Sequence, residues 1–153
     1  MGAMRPEVFK TKQILGSITI VGERFLTTAG LLNKITTKLA KTKCSVYGVS
    51  ISESYLGIYV PESLINKAYR TIFALTHKEK RFKAVSVRKG IGQLRISTPS
   101  FIEEPGIIGR IGDLLAREKI NIIEMMTILS DITVFVEKKD MEKAYRLIKK
   151  LTV

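Results

Sequence analysis

The sequence has no tryptophan, one histidine and one cysteine in 153 residues, and only 7% of it is aromatic. A lone cysteine, Cys44, excludes a disulfide within the chain. A lone histidine, His77, sits among Thr76, Lys78 and Glu79 and reads as a solvated linker residue. Zinc needs three or four ligands, which such a sequence does not assemble. Cys44 is expected to start a strand, and no histidine lies in its hairpin to act as a base, so it reads as a small core side chain and not as a nucleophile. Gly90-Ile91-Gly92 precedes a strand, the wrong setting for a dinucleotide loop. The expectation is a protein that is not an enzyme and uses no metal and no cofactor. Long apolar runs are missing as well. The longest, such as Ile132 to Val136, fall far short of the roughly 20 residues that span a bilayer, and no leader peptide is legible. A cytoplasmic protein without membrane contact is expected.

Acidic residues are scarce. Fourteen Asp and Glu face 26 Lys and Arg, for a net charge of +12. Such a surplus attracts nucleic acid, acidic proteins or anionic metabolites. In the linear sequence, however, the bases are dispersed. The densest groups are Lys78 to Lys83, Lys138-Lys139 and Lys149-Lys150, and none has the interleaved aromatics that stack on bases. The surplus therefore reads first as a solubilising surface, and nucleic acid is not the expected partner. A basic module docking on nucleic acid or on an acidic protein is the alternative.

What the sequence does contain is a repeat. Shifted by 76 residues against itself, it aligns without a gap, and 18 of the 77 pairs are identical. The matches include Gly16 with Gly92, Phe25 with Phe101, Gly30 with Gly106, Ile35 with Ile111 and Lys67-Ala68-Tyr69-Arg70 with Lys143-Ala144-Tyr145-Arg146. Self-similarity at a fixed period means a duplicated supersecondary unit. Within it, Ile18 and Ile20, like Leu94 and Ile96, alternate with other residues as in a half-buried strand. Leu31, Leu32, Ile35 and Leu39, matched by Ile107, Ile108, Ile111 and Leu115, then recur at helical spacing. Pro105 suits the first turn of that helix in the second copy.

Val46 to Ile51 and Leu56 to Val60, matched by Ile120 to Ile128 and Ile132 to Val136, predict a hairpin. Leu64, Ala68, Ile72 and Leu75, matched by Asp140, Ala144, Ile148 and Leu151, predict a second helix, which Asp140 could cap. Phe82 to Arg88 then completes the order βαββαβ in the first copy, whereas the second copy ends after its last helix. The spare segment is Glu7 to Lys12. We infer that it crosses over to finish the second module, so the first module spans 14–89 and the second 90–153 together with 7–13. The competing arrangement folds each such segment back as a local hairpin. Either gives an α+β fold of two four-stranded sheets backed by helices.

These residues resemble the ACT superfamily, and specifically the paired regulatory modules of aspartate kinases, over nearly the whole chain. In the second copy the likeness lies in Glu104-Pro105-Gly106-Ile107-Ile108-Gly109-Arg110-Ile111 and in Leu114 to Ile122, with Ile120-Asn121-Ile122 similar to the family's start of the second strand. In the first copy it lies in Gly22 to Leu32, Cys44-Ser45-Val46 and Ser52-Glu53. The resemblance implies ferredoxin-like modules that bind an amino acid and control amino-acid metabolism allosterically, as a regulatory part without a kinase domain.

The turn before the first helix is the chemically useful place, because the leading N–H groups of a helix are unpaired and attract a carboxylate. Gly30 and Gly106 sit there, where a missing Cβ admits either a ligand or an ordinary tight turn. By resemblance, the site of the first copy comprises Phe25, Thr28, Gly30, Leu31, Leu32, Val46, Tyr47, Ser52 and Glu53. Tyr47 stands where lysine-sensitive members place an aspartate, which disfavours lysine as the ligand. In the second copy the matching set is Phe101, Glu104, Gly106, Ile107, Asn121, Ile122 and Glu124. There Ile128 and Leu129 replace Ser52 and Glu53. Either a bulge brings Glu124 into the site, or this copy is scaffold, the reading we favour. Gly106, Gly109 and Gly112, three apart, point to close helix packing and not to a phosphate site. Exposed sheet edges predict a homodimer, and a separate metabolic enzyme is a possible partner.

Overall fold

The computed structural model describes residues 5–98 and 105–151. The chain divides into two compact units, one of Leu15–Lys89, the other of Gly90–Val153 with the N-terminal segment through Ile14. Among the described residues seven strands are formed: β1 (Glu7–Lys10), β2 (Leu15–Gly22), β3 (Gly48–Ile51), β4 (Tyr55–Pro61), β5 (Phe82–Ser97), β6 (Ile122–Ile128) and β7 (Asp131–Glu137). The α-helices are α1 (Leu31–Lys41), α2 (Ile65–Thr76), α3 (Ile107–Arg117) and α4 (Lys138–Lys149), with a 3₁₀ turn at Glu62–Leu64.

In the unit of Leu15–Lys89 the strand order is β5-β2-β4-β3, and β2 and β4 run antiparallel from Leu15 opposite Pro61 to Val21 opposite Tyr55. Ile18, Ile20, Leu56, Ile58 and Val60 point from this sheet to α1 and α2, which return Leu31, Ile35 and Leu39, and Ile65, Ala68, Ile72 and Leu75. Each large side chain so buried contributes on the order of 1.5–3 kcal/mol. In the other unit the order is β1-β5-β7-β6, and its core joins Leu94, Ile96, Ile132, Val134 and Val136 to Ile107, Ile111 and Leu115 of α3 and to Ala144 and Ile148 of α4. The strand β1 pairs antiparallel with β5, from Glu7 opposite Ser97 to Lys10 opposite Leu94. The Thr11 N–H extends the ladder to the Gln93 carbonyl at 3.0 Å. The N-terminal strand thus completes the second module, and the local-hairpin alternative is not formed.

Several local expectations are corrected. Phe82 to Arg88 and the strand holding Leu94 and Ile96 are one uninterrupted 16-residue strand, with Gly90 at φ 71 in its middle. Asp140 lies in the first turn of α4, whose N-cap is Glu137, so its carboxylate complements the helix dipole instead of capping. Pro105 precedes the N-cap Gly106 and lies outside α3. Cys44 lies before β3, buried at the position that Ile120 fills in the other copy. Close helix packing at Gly109 and Gly112 is absent, because a Cβ built on either would meet nothing within 4 Å. No helix among the described residues is long and apolar enough to cross a membrane.

Candidate ligand site

The loop from Gly22 to Gly30 is held by its own short contacts. Arg24 adopts φ 59, and the hydroxyls of Thr27 and Thr28 donate to its carbonyl at 3.4 and 2.6 Å, closing a tight turn. Phe25 drops from that turn into the core, 2% exposed, and meets Phe82 edge-on at 5.7 Å. Leu26 points the other way and is 60% exposed. The loop is fastened to the β3–β4 hairpin through main chain. Gly22 N–H donates to the Ser54 carbonyl at 2.9 Å, and Phe25 N–H to the Glu53 carbonyl at 3.0 Å. On its other side, Glu23 N–H donates to the Arg81 carbonyl at 3.1 Å, while Arg81 Nη1 donates to Thr28 Oγ1 at 2.7 Å. A methyl group at Gly22 would collide with that Arg81 carbonyl and come within 2.6 Å of the Phe25 ring, so this close approach needs glycine.

Helix α1 starts directly behind the loop. Gly30 is its N-cap at φ 80, no side chain caps it, and a Cβ there would meet nothing within 4 Å. The N–H groups of Leu32 and Asn33 belong to the first turn, whose donors have no partner within the helix. The structure therefore brings Phe25, Thr28, Gly30, Leu31, Leu32 and the Ser52-Glu53 tip into one neighbourhood. Phe25 and Leu31, both buried, brace it, whereas Gly30, Ser52 and Glu53 are exposed. Tyr47 is tied to β4 instead, its N–H donating to the Tyr59 carbonyl at 2.8 Å, and Val46 is an exposed apolar side chain next to it in sequence. Arg81 was missed in the sequence, where it lay inside the basic run Lys78 to Lys83. Only the fold places it on Thr28.

The electrostatics are those of an exposed site. Lys83, 2.8 Å away, holds the Glu23 carboxyl below its ordinary range through a hydrogen bond and its charge. Burial raises the Cys44 thiol against a smaller opposing effect of Lys67, so the thiolate is disfavoured. Among the described residues no cluster of three or more His, Cys, Asp or Glu could hold a metal ion.

In the second copy Phe101 and Glu104 lie outside the described residues. Gly106 repeats the open N-cap at φ 91, with Ile107 buried behind it. Asn121 and Ile122 lead into β6, and the register between β6 and β7 does slip between Ile122 and Glu124. After the slip Met125 pairs with Val134, which faces the helices, and Glu124 pairs with Phe135. Glu124 therefore lies on the sheet face away from α3 and α4.

No family model matches the sequence, and no curated protein matches it. Solved structures do. The chain superposes on a structure of aspartokinase alpha and beta subunits with a TM-score of 0.78 at 17% identity, over 97% of each chain. It matches the ligand-free regulatory subunit of aspartate kinase from Thermus thermophilus with a TM-score of 0.76 at 16% identity, over 96% of this chain and 97% of that one. Against aspartate kinase from Clostridium acetobutylicum the TM-score is 0.85 at 17% identity, over 95% of this chain and 34% of the enzyme. The chain shares the ferredoxin-like α+β fold of these structures.

Proposed function

We propose that this protein is a non-catalytic regulatory protein that binds a free amino acid at the β2–α1 loop of its first module and reports occupancy to an enzyme of amino-acid metabolism. The observation that carries this reading is the clasp at that loop. Its main chain is tied to the hairpin tip at Glu53 and Ser54 and to Arg81, directly in front of an uncapped helix start at Gly30. An α-carboxylate suits the free N–H groups of Leu32 and Asn33, an α-ammonium suits the exposed Glu53, and Tyr47 in place of an acid disfavours a cationic side chain. The shared fold supports the reading, since the Clostridium relative is described as an allosteric enzyme. The second module, with Ile128 and Leu129 at the hairpin tip, serves as scaffold. Binding acts by favouring one arrangement of the protein over another, to the extent of its differential affinity.

A thermal-shift screen against the twenty amino acids at millimolar concentration tests this. A neutral amino acid should raise the melting temperature, and Glu53→Gln should abolish the rise. A flat response to all twenty removes amino-acid sensing. The reading includes a homodimer, since β3 and β6 are sheet edges. Sedimentation at low micromolar concentration checks it, and a strict monomer with and without ligand would refute it.

A further inference from the structure

The positive charge is not spread evenly. Leu15–Lys89 carries thirteen Lys and Arg against four Glu and no Asp, whereas the rest of the chain carries thirteen against ten. Within the first unit neither α1 nor α2 contains an acid. Lys34, Lys38 and Lys41 fall at i, i+4 and i+7, one flank of α1, over about 10 Å of helix axis. That flank faces α2, because Lys34 pairs with Glu79 just beyond the end of α2. Lys67 lies on the opposing flank of α2, since it acts electrostatically on Cys44, which follows α1, and Arg70 stands about one turn further along α2. Lys34 is satisfied. Among the described residues Lys38, Lys41, Lys67 and Arg70 have no carboxylate partner, and all four are exposed. Like charges along one helix face repel, and a bound anion relieves that repulsion.

The duplicate supplies a second observation. Four positions on the two helices are basic in both copies, Lys34 with Arg110, Lys41 with Arg117, Lys67 with Lys143 and Arg70 with Arg146, although the copies are identical at only 18 of 77 positions. In the second copy the corresponding groove is an open depression of about 210 Å³ lined by Arg110, Asp113, Leu114, Arg117 and Leu151. There Asp113 lies among the cations and Glu118 holds Lys143 at 2.6 Å. The first copy has Thr37 and Thr42 in place of those two acids.

We propose that the α1–α2 groove of the first unit binds the phosphate backbone of nucleic acid through Lys38, Lys41, Lys67 and Arg70. A shallow groove between two helices does not enclose a small anion as ligand pockets do. A polyanion needs no enclosure, because its affinity comes from released counterions. The cationic flank of α1 carries no large apolar anchor of the kind that centres a protein interface. Lysines and a neighbouring threonine, Thr37, instead match the donors that meet phosphate oxygens without reading sequence. The proposal does not depend on amino-acid binding.

The test is fluorescence anisotropy of the full chain with a labelled mixed-sequence DNA duplex and a single strand, across a salt series. Four phosphate contacts predict a slope of log affinity against log salt of about −3 to −4. The groove variant Lys38→Glu with Lys67→Glu should lose at least tenfold more affinity than the charge-matched control Lys138→Glu with Lys139→Glu. If circular dichroism shows that the groove variant misfolds, the Gln pair at Lys38 and Lys67 replaces it and should lower the slope by about two. Equal losses in groove and control variants overturn the proposal, as does a slope shallower than about −1. Capture of polyglutamate with no binding to either nucleic acid also overturns it, and assigns the groove to an acidic protein.

Discussion

The two modules are copies of one supersecondary unit that have kept the same interior and changed what faces outward. Ile35 and Ile111, Leu39 and Leu115, Ala68 and Ala144, and Ile72 and Ile148 are the same residues at the same buried positions. Ile58 and Val134, or Cys44 and Ile120, are volume-tolerant replacements. Outside the core the copies part. The polar hairpin tip Ser52-Glu53 has Ile128-Leu129 as its counterpart, 71% and 81% exposed. Burial constrains side-chain shape through close packing, whereas an exposed position answers only to what binds there. The proposed binding chemistry of the first module therefore rests on residues that its copy does not share.

The largest expected effect that can break this comparison is Phe25→Ala. Removing a buried aromatic should cost about 3–5 kcal/mol of stability by denaturant titration, and it should release the loop, so that any amino-acid-dependent thermal shift disappears. Retention of that shift in a folded Phe25→Ala protein would show that the loop is not the site. Next comes Gly22→Ala, expected to cost roughly 1–3 kcal/mol because the added methyl meets backbone and not a yielding side chain. The smaller Gly109→Ala runs the opposite way. Its Cβ would enter open space inside helix α3, so the protein should gain about 0.5–1 kcal/mol in a thermal or urea melt. A loss of stability there would mean that a surface closes on that helix.

The smallest effects concern exposed ion pairs, one in each unit. Lys10, paired with Glu142, holds that carboxyl below its ordinary range, as Lys83 does for Glu23. A depressed folded-state carboxyl stabilises above its unfolded value and loses that stabilisation as pH falls through the folded one. Glu142→Gln, at the pair that ties β1 to α4, should therefore flatten the acid limb of the stability profile slightly, with no change near neutrality beyond the pair's own small contribution. A steeper acid limb would contradict the assignment.

Much of the architecture was legible in the repeat and in two periodicities. The spacing of Leu31, Ile35 and Leu39 fixed a helix and the alternation around Ile18 and Ile20 a strand, whereas Glu7 to Lys12 was readable either as a crossed-over strand or as a local hairpin, and its pairing with β5 decided between them. The candidate loop was legible at Gly30 and Ser52-Glu53 through resemblance. Arg81 was not, because it reaches Thr28 across 53 residues of chain. Gly109 and Gly112 were misread, since a spacing of three glycines says which helix face is bare but not whether anything packs on it.

By itself the sequence determined that one unit occurs twice, which of its residues are buried and in what order strands and helices follow, because hydrophobic periodicity acts locally and the duplication prints it twice. It also determined the sum of the charges. Their distribution was decided only by tertiary structure. Lys38 and Lys41 lie far along the chain from Lys67 and Arg70, and they share a groove because α1 and α2 pack side by side on one sheet. The continuous run of β5 through Gly90 and the register slip that turns Glu124 away from the helices are decisions of the same kind. The first follows from pairing with strands distant in sequence, β1 among them, and the second from a bulge within the β6–β7 hairpin, and the residue periodicity encodes neither.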